Sequence, residues 1–369
     1  MSVPAMTTRD ELIAWATRNG WKLDRWGHLK KEFDIIMAGH LADAAYTPNF
    51  GSRNVKLKLA AIIIKYVGLP IAACAFIYSA SLKWYPPAAG AMLVLTGRGA
   101  RCGLVQTIQA CSRLYNTYPV SVKNVQASSR ILRRDSVDGL QLVETEKGEF
   151  WEPVCEGSAV MAQLAELDSK YYGLAQARPR AGDIVFDCGA NVGVFSREAL
   201  SLGAKLVVAI EPAPINLECL RRNLASEIAS GRVLVCAQGL WNKEATLHLY
   251  ENNLTAAMDG FVKRENTREG PVIPLTTIDR LVDELKLKRV DFIKMDIEGA
   301  ERHALAGGLK TFRRFRPRLE ISTDHLPDDC EVIPKIVRQA WPGYHEECLL
   351  CNLEPLKWRV KAEILYFHP

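Results

Sequence analysis

The residues best placed for chemistry are carboxylates at the ends of short apolar runs. Asp187 lies near the end of IVFDC, and Glu211 follows LVVAI 24 positions later (211 − 187 = 24). Asp296 and Glu298 follow VDFIKM within KMDIEGAE, and Asp324 and His325 follow RLEIS. A carboxylate in such a position accepts hydrogen bonds from hydroxyl or ammonium groups. An imidazole, with an ordinary pKa of about 6.5, suits proton removal at neutral pH better than an aspartate at about 3.9.

The elements that must position these groups follow from periodicity. IVFDC, LVVAI, VLVC, VDFIKM and RLEIS read as buried strands. FSREALSLG and INLECLRRNLASEIASG between them read as helices. In the second, Leu217, Leu220, Leu224 and Ile228 share one face and Gly231 ends the helix. Such alternation predicts a doubly wound, mostly parallel sheet with helices on both faces. WRVKAEILYFHP is a last strand with no helix after it, which predicts an antiparallel closing strand. Ligands in such sheets lie outside the carboxyl ends of the strands, where the strand order reverses.

The first strand turns through DCGANVGVFS. Gly189 permits a sharp turn, and Gly193 permits close packing of the next helix, whose backbone N–H groups then face the ligand. The dinucleotide fingerprint has a glycine where this chain has Asn191, and its third glycine comes one residue later than Gly193. Both departures disfavour a pyrophosphate, and no phosphate-binding loop with a lysine is present. S-adenosylmethionine fits: its carboxylate at the helix N-terminus, its ammonium group on Asp187, its ribose hydroxyls on Glu211. Asn216 and Asn223 read as helix residues that cap locally or face solvent. Asp296, on the neighbouring fourth strand, faces the reactive end of the cofactor. Asp296 also has the position of a helix cap, and Glu298 and Glu301 oppose a helix dipole.

Composition bounds the rest. The 369 residues are 48% hydrophobic and 24% charged, which excludes wholesale disorder, and a net charge of +5 is too small to imply a nucleic-acid partner. The ten cysteines are scattered, and Cys188 and Cys236 lie in apolar runs. That pattern predicts buried free thiols in a reducing cytoplasm, Cys348-x-x-Cys351 included. No basic start followed by an apolar stretch marks a signal peptide. Residues 1–97 read as a mainly helical N-terminal region, 98–180 as an accessory region, and 181–369 as the catalytic domain. Within 98–180, residues 140–153 predict a hairpin turning at Glu146-Lys147-Gly148, and 159–172 a helix. Residues 59–97 are strongly apolar, with no charge from Tyr66 to Leu82, and predict a helical pair or hairpin bending at Pro86-Pro87. Its apolar surface would contact a membrane or a second copy of the chain. The predicted location is therefore cytoplasmic with possible membrane association.

DIVFDCGANVGVFS, VVAIEPAPINLECLRRNL, PLTTIDRLV, VDFIKMDIEGAE and PRLEISTDH, in that order, resemble the FkbM-type methyltransferases over roughly residues 140–369. The resemblance implies a Rossmann-like seven-strand class I methyltransferase fold, S-adenosylmethionine as cofactor, and methyl transfer to a hydroxyl of a sugar, glycan or secondary metabolite. It implies cofactor contacts at Asp187, Gly189, Asn191, Gly193, Glu211 and Pro212, and adenine contacts at Gln238 and Trp241. The acidic residue before His325 is Asp324, shorter than the glutamate expected there. On this reading His325 is the base, oriented by Asp324 or Asp296, with Glu298 beside them. Asp296 and Glu298 alone are too few ligands to assign a metal site. The competing readings are an RNA methyltransferase on the same fold and a non-enzymatic membrane-associated protein with a vestigial crevice.

Overall fold

A computed structural model describes residues 85–99, 101–154, 158–169, 177–252, 259–263 and 267–369. The chain divides into two units, residues 1–80 and 81–369. The helical expectation for residues 1–54 and the apolar run 59–84 lie outside the described residues.

The second unit opens with helices α1 (Pro86–Leu95), α2 (Leu104–Ser112) and α3 (Tyr118–Ser128), the last two joined by a wide helical turn. Strands β1 (Arg130–Asp135), β2 (Leu140–Thr145) and β3 (Gly148–Pro153) form an antiparallel sheet. The hairpin and its turn are as predicted, and β1 adds a third strand. Then follow α4 (Ala159–Asp168), β4 (Ile184–Cys188), α5 (Val194–Ser201), β5 (Leu206–Ile210), α6 (Pro214–Asn223), α7 (Ala225–Ala229) and β6 (Val233–Cys236). A small sheet of β7 (Gly239–Leu240), β8 (Ala245–Asn252) and β9 (Thr267–Thr276) follows. The chain ends with α8 (Ile278–Glu284), β10 (Phe292–Met295), α9 (Glu301–Ala306), α10 (Leu309–Phe315), β11 (Arg318–Ser322), α11 (Asp329–Ala340), β12 (His345–Glu354) and β13 (Arg359–His368).

The main sheet has seven strands in the order β12-β13-β11-β10-β4-β5-β6. Strands β6, β5, β4, β10 and β11 are parallel; β13 is antiparallel to β11, and β12 to β13. This mixed sheet fits the expected class of fold, with the antiparallel closing strand in its predicted place. The central strands are covered on both faces, so Val185, Phe186, Ile293 and Met295 have no exposed surface. Their unbroken apolar sequence follows from that double burial.

The strand order reverses at β4, between β5 and β10. There the turn after β4 meets the turn after β10. Gly189 has φ +82°, and a Cβ at this position would lie 1.9 Å from the Asp296 carbonyl oxygen. Gly193, φ +91°, opens α5 against Leu224, where a Cβ would come within 2.9 Å of the leucine side chain. Both glycines of the turn are therefore required by close approach as well as by backbone angle.

Two expectations are corrected. Pro86 and Pro87 open α1, where their missing N–H groups cost nothing, and the segment before the expected bend lies outside the described residues. Ala89 and Leu93 of that helix are buried, and Gly90 packs on Thr107, Cys111 and Leu353, so residues 86–95 belong to the core of the second unit. Leu95 remains exposed, and among the described residues no helix is long and apolar enough to cross a membrane. Second, Cys102 and Cys348 are joined in a disulfide across 246 residues of sequence. Packing of the segment 99–112 on β12 and β13 brings them together, a juxtaposition that cysteine spacing does not reveal. Cys111, Cys188, Cys219, Cys236, Cys330 and Cys351 are free, and all but Cys236 are buried.

Gly189→Ala is expected to destabilise the fold by at least about 2 kcal/mol, since backbone strain and overlap act together. Gly182 provides the comparison: its φ is +84° with nothing near a Cβ, so Gly182→Ala carries the strain alone. Urea denaturation of both variants measures the difference. Equal losses would show that the turn accommodates a methyl group.

Candidate active site

The turns after β4, β5 and β10 line a crevice that is partly open to solvent. Its wall includes Gly189, Asn191, Glu211, Pro212, Gln238 and Asp296. The sequence-predicted cofactor residues thus converge, with three exceptions.

Asp187 is buried without exposed surface. Its Oδ2 accepts from Ser196 Oγ at 2.7 Å, and its Oδ1 lies 4.0 Å from Lys294 Nζ. Burial raises its pKa, while Lys294 and Ser196 act in the opposite direction. It sits behind the crevice wall. Gly193 is likewise away from the wall, at the start of α5. Trp241 is the third exception: it stacks on His303 at 3.9 Å between ring centroids, away from the crevice. The aromatic residue on the wall is Phe261.

Glu211 is held by its own backbone surroundings. Oε2 accepts from Asn191 N at 2.8 Å, and Oε1 from Ala213 N at 2.9 Å and Asn216 Nδ2 at 3.4 Å. Burial pushes its pKa up to about 7, and those three bonds restrain the rise. Asn216 is buried here rather than solvent-facing. Asn223 also faces inward: its amide bonds to the Trp151 and Val192 carbonyls at 2.8 Å each, tying the hairpin to the first turn.

On the other side of the crevice, a second group gathers around His325. Its Nδ1 lies 2.9 Å from Glu301 Oε1. Its Nε2 lies 3.5 Å from both Asp296 Oδ1 and Glu298 Oε2, and 3.9 Å from Asp324 Oδ1. Glu301 therefore orients the ring, and Asp324 is the more distant carboxylate. Glu301 has no exposed surface and also accepts from Ile297 N at 2.8 Å and Gly299 N at 3.0 Å. Burial disfavours a charged imidazole, but Glu301 and Glu298 outweigh it and hold the His325 pKa well above its ordinary value.

Among the wall residues that sequence reasoning missed are Lys294, Gln163, Glu166, Asp259 and Phe261. Lys294 is nearly buried, with Nζ 3.7 Å from Asp296 Oδ2 and donating to the Gly189 carbonyl at 3.3 Å. Burial opposes its charge, yet Asp296 and Asp187 raise its pKa. A lysine inside VDFIKM was the signal for it. Gln163 and Glu166, from α4, line the far wall. Burial pushes Glu166 up to about 8, with Asp296 adding to the rise and Lys294 opposing it. Asp259 and Phe261 line the side nearest Gln238, and burial raises Asp259 to about 6. Nothing in the sequence singles out these four.

The crevice residues fit an adenosyl ligand without phosphates. A buried carboxylate, Glu211, is aimed into it, and the middle position of the turn carries the Asn191 side chain where a pyrophosphate would need glycine.

Residues 187–346 match the family described as the Methyltransferase FkbM domain. These residues form an FkbM-type methyltransferase domain. The chain is 29% identical over 156 residues to 31-O-demethyl-FK506 methyltransferase FkbM of Streptomyces tacrolimicus, covering 35% of this chain and 60% of that protein. It is 30% identical over 156 residues to methyltransferase sdnD of Sordaria araneosa, covering 33% and 59%. It thus spans about 60% of the length of these curated relatives. A solved FkbM methyltransferase from Methylobacillus flagellatus matches at 22% identity and a TM-score of 0.38, covering 57% of this chain and 53% of that one.

Glu301→Ala would strand two buried backbone N–H groups and release His325. A loss of about 3 kcal/mol in urea denaturation is expected. A loss below about 1 kcal/mol would mean that Glu301 does no more than oppose the α9 dipole.

Proposed function

We propose that this chain is an S-adenosylmethionine-dependent O-methyltransferase acting on a hydroxyl of a small molecule or glycan. The observation that carries the reading is one crevice with two chemically distinct sides. One side offers the Glu211 carboxylate and the Gly189–Asn191 turn. The other offers Asp296 and Glu298, which also line the adjoining pocket that holds His325. The sheet order and the FkbM-type domain support the class I methyltransferase form of the fold. One relative's name places its methyl group on an oxygen, which supports the same acceptor chemistry here.

S-adenosylmethionine, when bound, supplies an electrophilic methyl group on a sulfonium. The chain's own residues have three tasks. Glu211 accepts from the ribose hydroxyls, with Asn191 N–H and Ala213 N–H fixing its orientation. Gln238, Asp259 and Phe261 bound the adenine side. Asp296 and Glu298 present oxygens to the acceptor hydroxyl and align it, while the neutral form of His325, which its raised pKa confines to higher pH, takes its proton at Nε2. Asp324 lies at the rim of this group. Asp187 acts indirectly, by holding Ser196 and Lys294 and through Lys294 the position of Asp296.

Glu211→Ala is expected to weaken S-adenosylmethionine binding by about 1.5–3 kcal/mol in calorimetry. An unchanged affinity would remove Glu211 from the cofactor site. Asp296→Asn and His325→Ala are expected to abolish turnover while leaving cofactor affinity nearly intact. Loss of cofactor binding in both would overturn the division into two sides.

The Glu211 pKa of about 7 gives a further expectation. The carboxylate is the binding form and is present above that pH. Affinity at pH 6 should therefore be about tenfold weaker than at pH 8. In Glu211→Gln the two values should coincide; a wild-type affinity independent of pH would contradict the assignment.

A further inference from the structure

The acceptor side of the crevice combines two carboxylates and an imidazole in an arrangement that ion pairing alone does not require. We propose that Asp296 Oδ1, Glu298 Oε2 and His325 Nε2 are the ligands of a divalent cation. One ligand atom from each of the three residues lies within 4.8 Å of the others, and the imidazole nitrogen is 3.5 Å from each carboxylate oxygen. For three atoms so spaced, one point lies about 2.0–2.4 Å from all of them, which spans the bond lengths of Mg²⁺, Mn²⁺ and Zn²⁺ to oxygen and nitrogen.

The second observation is the support of the histidine. A metal-bound imidazole commonly gives its other ring nitrogen to a carboxylate, which fixes the tautomer and ring plane. Glu301 has that place, 2.9 Å from Nδ1. It is fully buried and is itself fixed by Ile297 N and Gly299 N. With Nδ1 donating to Glu301, a cation that displaces the proton from Nε2 would meet the lone pair of that nitrogen between Asp296 and Glu298. The three ligands come from two turns, Asp296 and Glu298 after β10 and His325 after β11, which places the cation between two strand ends.

The surroundings leave coordination sites for the acceptor. The pocket at this point is lined by Glu166, Asp324 and Ser322 as well as the three ligands, and it opens to solvent. Asp296 presents its other oxygen to Lys294 at 3.7 Å, so the lysine positions this ligand without entering the site. One imidazole and two carboxylates suit a first-row divalent cation better than Ca²⁺, which takes oxygen ligands only. A cation here would lie beside the acceptor hydroxyl and lower its pKa; His325 Nε2 would then be a ligand in place of the base, and the proton would pass to Asp324, 3.9 Å from that nitrogen, or to water. This last consequence rests on the methyltransferase reading; the ligand geometry does not.

Manganese is the probe. The full chain, cleared of metal with a chelator, is titrated with Mn²⁺ alone and the free ion is followed by electron paramagnetic resonance. One Mn²⁺ per chain is expected to bind, with affinity reduced at least tenfold in Glu298→Gln and in His325→Gln. Glu298→Gln keeps the side-chain shape at a partly buried position, so it remains informative if the histidine variant fails to fold. No binding up to about 1 mM Mn²⁺, beyond the range of functional sites, overturns the proposal. Equal binding by wild type and Glu298→Gln overturns it as well. Calorimetry with S-adenosylmethionine in chelator is the separate arm. Cofactor binding without Mn²⁺ binding removes the cation site alone, and Mn²⁺ binding without cofactor binding removes the methyltransferase reading alone.

Discussion

The close approach of two backbone turns at the reversal of the strand order governs this structure. Gly189 can lie against the Asp296 carbonyl only because it lacks a side chain, and the contact sets the floor of the crevice. Three further bonds lock the turns together: Asp296 N donates to the Cys188 carbonyl, and Gly189 N and Ala190 N both donate to the Ile210 carbonyl, each at 3.0 Å. The ends of β4, β5 and β10 are thereby held as one unit. Side chains that leave those ends, Glu211 from one and Asp296 from another, face the same space as a consequence.

That arrangement forces charge into the interior, and the chain answers with pairing and backbone donors. Lys294 lies between Asp187 and Asp296 and also donates to the Gly189 carbonyl. It links the buried carboxylate behind the wall to the one that faces the ligand. Glu211 and Glu301 are stabilised differently, each by two backbone N–H groups of a nearby turn. Removing charge from water is costly, so each of these groups needs a fixed geometry of partners. The same fixed partners orient the functional oxygens, so burial and preorganisation have a common origin here.

The region before the main sheet closes on it from both ends. Asn223 fastens the Trp151 backbone to the turn after β4, and α4 supplies Gln163 and Glu166 to the crevice wall. At the far edge, Gly99 bridges to Val360, Arg101 pairs with Glu346, and Cys102 is bonded to Cys348. The described residues between 98 and 169 are thus structurally continuous with the main sheet, and part of the crevice wall comes from them.

The sequence by itself determined the five parallel strands, the closing strand β13 and the positions of the crevice-lining turns, but not β12. Strands covered on both faces must be apolar throughout, so IVFDC, LVVAI and VDFIKM stand out, and polar residues directly after them must lie at a strand end. Glu211, Asp296 and His325 were legible for that reason, as were the glycines of the first turn. Tertiary structure decided what periodicity cannot encode, namely which side chains from separate elements share one space. Glu301 reads as a residue that favours a helix start, and only packing shows it beneath His325. Trp241 reads as a candidate for stacking on a ligand, and packing gives it to His303. The Cys102–Cys348 bond, the inward turn of Asn216 and the contributions of Glu166, Asp259 and Phe261 depend on contacts distant in sequence. Local pattern reports whether a residue faces inward or outward along its own element, and the neighbour it meets is fixed only when the elements pack.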